Sequence, residues 1–125
     1  MTISVANEFK AACLAGGCAL LNSGQFRLLT SADAELANLG FASTAFGTPT
    51  TASPSVSTSG TITADSSVTA GTIAKFEMRT FGGATRISGS VGVGTGDIQI
   101  SDVVIPGTAT SVSCPGGITI SLQIT

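Results

Sequence analysis

The most reactive side chains in this sequence are three cysteines. Cys13 and Cys18 lie in AACLAGGCALL, residues 11–21, and Cys114 lies in the turn SCPGG. On one helix, a five-residue step sets Cys13 and Cys18 about 140° apart, which forbids a bridge between them. A cysteine nucleophile needs a nearby base or cation to become a thiolate. The chain has no His, so it lacks the usual general base and the usual zinc nitrogen ligand. The expectation is three reduced thiols, two of them acting as small buried apolar groups, as suits a reducing cytoplasm.

The acidic residues are the second source of chemistry. GVGTGD, residues 92–97, has the glycines of a phosphate loop, but Ile98, Gln99 and Ile100 follow where Lys, Ser or Thr and a helix are required. It also lacks the leading glycine pair of the calcium-binding repeat. A β-turn is the reading adopted. Asp97, Gln99 and Ser101 would share one face of a strand, with Asp102 beside them, but so few ligands fall short of a calcium site. Asp33 and Glu35 are close in sequence without an identifiable pocket. No catalytic, cofactor-binding or metal-binding residue is assigned, and the chain is read as a non-enzyme. Net charge is −2, and only Lys75, Arg79 and Arg86 lie near one another. That is no basic stripe of the kind nucleic acid demands.

The elements that carry these residues begin with the apolar run. At 125 residues the chain is one domain by length and can bury a core without staples. It divides into an N-terminal helix over 1–24 and a β domain over 25–125. The run 11–21 is about half the length a membrane span needs, and MTISVANEFK is not the basic leader of an export signal. An amphipathic or wholly apolar helix is expected, capped by Thr2 or Ser4 and closed by Gly24. Val5, Phe9, Ala12, Cys13, Gly16 and Leu20 fall on one side, and Ile3, Leu14, Cys18 and Leu21 near the other. A helix apolar on both sides packs between a core and a partner.

Past Gly24 the period changes to that of strands. QFRLLT (25–30) and ELANLGF (35–41) are followed by STAFGTPTTASPSVSTSG (43–60), read as a long irregular loop carrying Pro49 and Pro54 and anchored by Phe46. Thr61–Ala64 and Gly71–Thr80 come next, then a hairpin turn on Gly82-Gly83 in FGGAT. Ile87, Gly89, Val91 and Val93 share a face. Strands are further expected over Asp97–Ile105, with a phase change at Asp102, over Thr108–Ser113, and in ITISLQIT at the end. There Ile118, Ile120, Leu122 and Ile124 point inward, and Thr119, Ser121, Gln123 and Thr125 outward. Seven or eight short strands imply a mainly β chain, an antiparallel sandwich or jelly roll, behind one helix. Charged residues are 10% of the chain and mean hydropathy is +0.49. Such a balance suits a subunit of a large assembly, where surface charge is less needed for solubility.

The order of these motifs resembles a family of small virion proteins of tailed bacteriophages. The resemblance runs through LLNSG (20–24), RLLT (27–30), LANLGF (36–41), AFGTP (45–49) and ITADSSVTAGTIAKFEMRT (62–80). It continues through SGSVGVGTGDIQISDVVIPGTATSVS (88–113) and ITISLQI (118–124). The short link between RLLT and LANLGF, and CPGG at 114–117, depart from the family pattern. The resemblance implies a capsid decoration or cement protein that binds the major capsid protein or another virion protein as a dimer or trimer. It implies synthesis in the bacterial host cytoplasm, with neither nucleic acid nor membrane as partner. A tail or fibre component and a secreted adhesin-like β domain are the alternatives. The expected contact residues are Phe9, Cys13, Leu14 and Leu20 on the helix and Phe46, Pro49 and Pro54 in the loop. Removing 43–60 is expected to leave a folded β domain that no longer assembles.

Overall fold

The computed structural model describes residues 4–121. A single helix, α1 (Asn7–Ala19), leads the chain. Its N-cap is Ala6, with no side-chain cap, so Ser4 does not serve as one, and Thr2 lies outside the described residues. Glu8 in the first turn favours the helix through its dipole instead. Ala11, Leu14, Cys18 and Leu21 are the buried positions of the helix and its closing turn. Steps of three and four residues put them on one face. The predicted stripe through Phe9, Cys13, Gly16 and Leu20 points outward. Leu14 and Leu21 bring bulk to the core, whereas Gly16 brings none. Ser23 (φ 55°) reverses the chain. Gly24 follows, where a methyl would collide with the carbonyl oxygen of Arg79.

Five strands form the main sheet in the order β2-β1-β5-β6-β7. They are β1 (Gln25–Leu29), β2 (Glu35–Gly40), β5 (Lys75–Arg79), β6 (Thr85–Gly92) and β7 (Ile98–Gln99). Alternation puts Phe26, Leu28, Leu39, Phe76 and Met78 on the buried face. Phe26 stacks on Phe76 at 6.0 Å and on Phe41 at 6.3 Å, and Phe41 on Phe46 at 5.6 Å. These separations suit tilted aromatic pairs. The core joins this chain of rings to Leu14, Cys18 and Leu21. The β5–β6 hairpin turns at Gly82-Gly83 as expected, with Gly83 at φ 90° and the Thr80 amide donating to the Ala84 carbonyl at 2.9 Å. The outer edge of β2 is covered: Gly40 and Thr63 exchange two backbone bonds, and the Asn38 amide donates to Asp65 Oδ2 at 2.8 Å.

β7 lies parallel to β6, so the sheet is mixed and not antiparallel. Parallel neighbours normally need a crossover of a dozen residues or more. Here only Val93–Asp97 intervene, with Gly94 (φ 69°) and Gly96 (φ 93°) in left-handed conformations that glycine supplies without steric cost. The other strands are short. β3 (Ser55–Ser57) pairs with β9 (Thr119–Ser121), and β4 (Gly71–Thr72) with β8 (Val104–Ile105). The described residues are thus mainly β behind one helix, with one five-stranded sheet and two two-stranded ribbons.

Three local expectations need correcting. The segment 43–60 is no free loop: Ala45, Phe46 and Val56 are core residues, and β3 is a strand. Its apolar residues are few but evenly set, and they sink into the space beside α1. Thr108–Ser113 is no strand; a turn at Pro106–Ala109 leaves only Val112 bridged, to Asp65. Thr61–Ala64 contributes only the Thr63 bridge. The expected strand over Asp97–Ile105 is two short strands, β7 and β8, and the burial phase changes between Ile100 and Val103, where the Asp102 carboxylate accepts the Val104 amide at 2.9 Å. In ITISLQIT, Ile118 and Ile120 rest on the core while Thr119 and Ser121 are exposed. Leu122, Gln123, Ile124 and Thr125 lie outside the described residues.

Candidate functional site

The residues that could do chemistry are dispersed. Cys13 is exposed, Cys18 is buried and Cys114 is half-buried, all three free. Burial pushes the Cys18 and Cys114 thiols up, away from the reactive thiolate. Among the described residues, no three His, Cys, Asp or Glu gather as a metal site would require. Asp97 Oδ2 accepts the Ser90 amide at 2.9 Å and its hydroxyl at 3.0 Å, while the Asp97 amide donates to the Ser90 oxygen at 3.1 Å. These bonds, the backbone one first, hold the Asp97 carboxyl below its ordinary value. The interaction fastens the GVGTG turn to β6.

Much of the charged face of the sheet is paired internally, whereas the buried Arg79 Nε has no partner among the described residues. Arg27 on β1 pairs with Glu35 on β2 and with Glu77 on β5, each at 2.6 Å. Lys75 pairs with Asp33 at 2.9 Å. Asp33 and Glu35 therefore serve separate cations and form no acid–base pair. Such surface pairs contribute about 0–1 kcal/mol each. They set charge order across strands more than they hold the fold.

Exposed large apolar side chains occur on the outer side of α1 and also at Phe81, Val93 and Val104. Phe9 is 62% exposed and Leu20 52% exposed, with Cys13, Gly16 and Gly17 bare between them. A side chain added at Gly16 or Gly17 would meet nothing within 4 Å. From Ala11 to Asn22 the sequence carries no charge. The helix is held from its other end and side: Asn7 Nδ2 donates to the Ala52 carbonyl at 3.1 Å, and the Ala45 amide donates to Asn22 Oδ1 at 2.9 Å. Between α1 and the 44–49 segment lies an open hollow of about 410 Å³, walled by Ala15, Ala19, Thr48 and Pro49 among others. The helix and the 44–49 segment thus wall one hollow.

Membership of the expected contact surface changes in detail. Phe9, Cys13 and Leu20 lie on it exposed, and Pro49 and Pro54 are half-buried. Leu14 (7% exposed) and Phe46 (6%) are packed in the chain's own core. They leave the candidate set because their side chains already fill internal space. Phe81, 77% exposed at the tip of the β5–β6 hairpin, belongs among exposed apolar groups that sequence reasoning missed. Its place in FGGAT, inside a two-glycine turn that no core can reach, is the signal. A second concavity, a cleft of about 680 Å³, lies between the buried face of the sheet and residues 98–119.

No helix among the described residues is long and apolar enough to cross a membrane. No protein family, no curated protein and no solved structure matches the chain.

Proposed function

We propose that this chain is a non-catalytic structural subunit of a bacteriophage virion, a capsid decoration or cement protein that binds the shell as a dimer or trimer. The observation that carries the assembly part is the outer side of α1, uncharged from Ala11 onward, with Phe9 and Leu20 mostly exposed. Exposed apolar groups aligned on one face favour burial against another surface. The bacteriophage part rests on the resemblance in motif order described above. A 13-residue helix is about 20 Å long, too small by itself for the roughly 800 Å² per partner of a stable interface. The neighbouring hollow beside Pro49 and the half-buried Pro54 turn supply further area. Weak contacts of this size become effective when repeated over many copies on one particle. The reading places the protein in the virion, assembled in the bacterial cytoplasm against the major capsid protein, with neither nucleic acid nor membrane as partner.

Immunogold electron microscopy of virions with an antibody to this chain tests the reading. Label over the capsid surface is expected. Label confined to the tail would move the protein to the tail or fibre class. Sedimentation of the purified chain should show a dimer or trimer that becomes a monomer in the double variant Phe9→Ser, Leu20→Ser. A wild-type chain that stays monomeric at high concentration and binds no particle would remove the proposal.

A further inference from the structure

The core is distributed unevenly along the chain. Among the described residues, every buried apolar side chain but one lies between Ala11 and Val91; the exception is Ile105. Residues 93–121 otherwise rest on the core through half-buried side chains, Ile98, Ile100, Val112 and Ile118 among them. Their backbone is tied down at separate points. β7 holds β6 over two residues, β8 holds β4 over two, and β9 holds β3 over three. Val112 adds one bridge to Asp65, with N···O distances of 2.9 and 3.0 Å. The 680 Å³ cleft separates this segment from Phe26, Leu28 and Leu39 beneath it. The main sheet is built differently, with five-residue ladders joining β1 to β2 and to β5 and β5 to β6.

We infer that residues 93–121 form a separable cover, which carries the edge strand β7 with it and opens from the buried face of the sheet without unfolding strands β2, β1, β5 and β6 or α1. Local openings cost less where buried apolar contacts are few and backbone bonds are exposed. The hinge is the glycine turn at Gly94 and Gly96, latched by Asp97 on Ser90. At the far end, Gly117 (φ 70°) lies so close to Thr58 that a methyl would collide with its hydroxyl oxygen. The two ends therefore offer independent ways to loosen the cover. The inference stands apart from the virion reading, since it concerns the lone chain.

Amide hydrogen exchange on the full-length protein, read by peptide mass spectrometry, tests it. The bonded amides of Ile100, Val112 and Ile118 are expected to exchange at least about a hundredfold faster than those of Phe26, Leu28 and Met78. Asp97→Ala and Gly117→Ala should each speed exchange within 93–121 by at least about tenfold, leaving β1 and β5 unchanged. The native thiols give a second readout. Under native conditions Cys18, in the main core, should stay unlabelled by N-ethylmaleimide while Cys114 becomes fully labelled in either variant. Exchange of the two regions at one common rate, or variants that release Cys18 and Cys114 together, would overturn the inference.

Discussion

At the scale of single residues, burial decides what each side chain contributes. Leu21 has no exposed surface and Met78 has 2%. Leu21→Ala leaves a cavity where α1 meets the sheet, and it should cost about 2–5 kcal/mol. Denaturant unfolding should show the midpoint moving with little change in slope. Asp97 acts through bonds to Ser90, and its lowered carboxyl pKa fixes the sign of its pH dependence. A carboxyl whose folded pKa lies below its unfolded value contributes stability above that unfolded value and loses it as pH falls through the folded one. The Tm advantage of the native protein over Asp97→Ala should therefore be full at neutral pH and shrink below about pH 4. A constant difference across that range would mean that the Ser90 amide and hydroxyl do not favour the charged form.

At the scale of elements, the glycines of α1 separate two demands. Gly16 and Gly17 sit in a helix interior with open space around them. Each Gly→Ala change should stabilise the isolated helix by about 0.8–1 kcal/mol. If a partner packs closely on this face, the same methyl groups should weaken association. Tm at low concentration and the sedimentation-derived dissociation constant should then move in opposite senses, and a rise in Tm with unchanged association would place the partner elsewhere. The elements themselves differ in how plainly the sequence shows them. β1, β2, β5 and the FGGAT turn were legible because their alternation and turn chemistry are local. The helix was legible as a helix, but its buried face was not: apolar residues occur all round it, and only its seat in the core beside β3 selects Leu14, Cys18 and Leu21. β3 was hidden in a Ser/Thr/Pro-rich stretch because its ladder partner, β9, is about sixty residues away, and its local ties are single bonds from the Gly47 and Thr50 amides. The parallel placement of β7 depends on left-handed Gly94 and Gly96, which resemble any other turn on paper. Of the candidate surface, Phe9 and Leu20 were legible from hydrophobicity alone. Phe46 was rightly seen as an anchor, but whether an anchor points in or out depends on its ring neighbour Phe41.

At the scale of the whole molecule, the proposed association of copies has a testable driving force. The candidates are charge pairing and apolar burial, and they respond oppositely to salt. Of the five cations in the sequence, Arg27 and Lys75 are already paired within the sheet. The stretch from Ala11 to Asn22, which forms most of the exposed helix face, has no charge at all. Raising ionic strength from about 0.05 M to about 1 M shortens the screening length from more than 10 Å to about 3 Å. An interface held by complementary charges would weaken severalfold over that range, whereas one held by Phe9, Leu20 and the hollow beside Pro49 would not. Sulfate, excluded from apolar surface, should strengthen it further. The expected result is a dissociation constant that changes less than about threefold in sodium chloride and falls in sulfate. A steep loss of association with salt would transfer the interface from α1 to the Arg27–Glu77 face of the sheet. The proposed dimer or trimer would then have to be rebuilt around cross-strand charges and not around the helix.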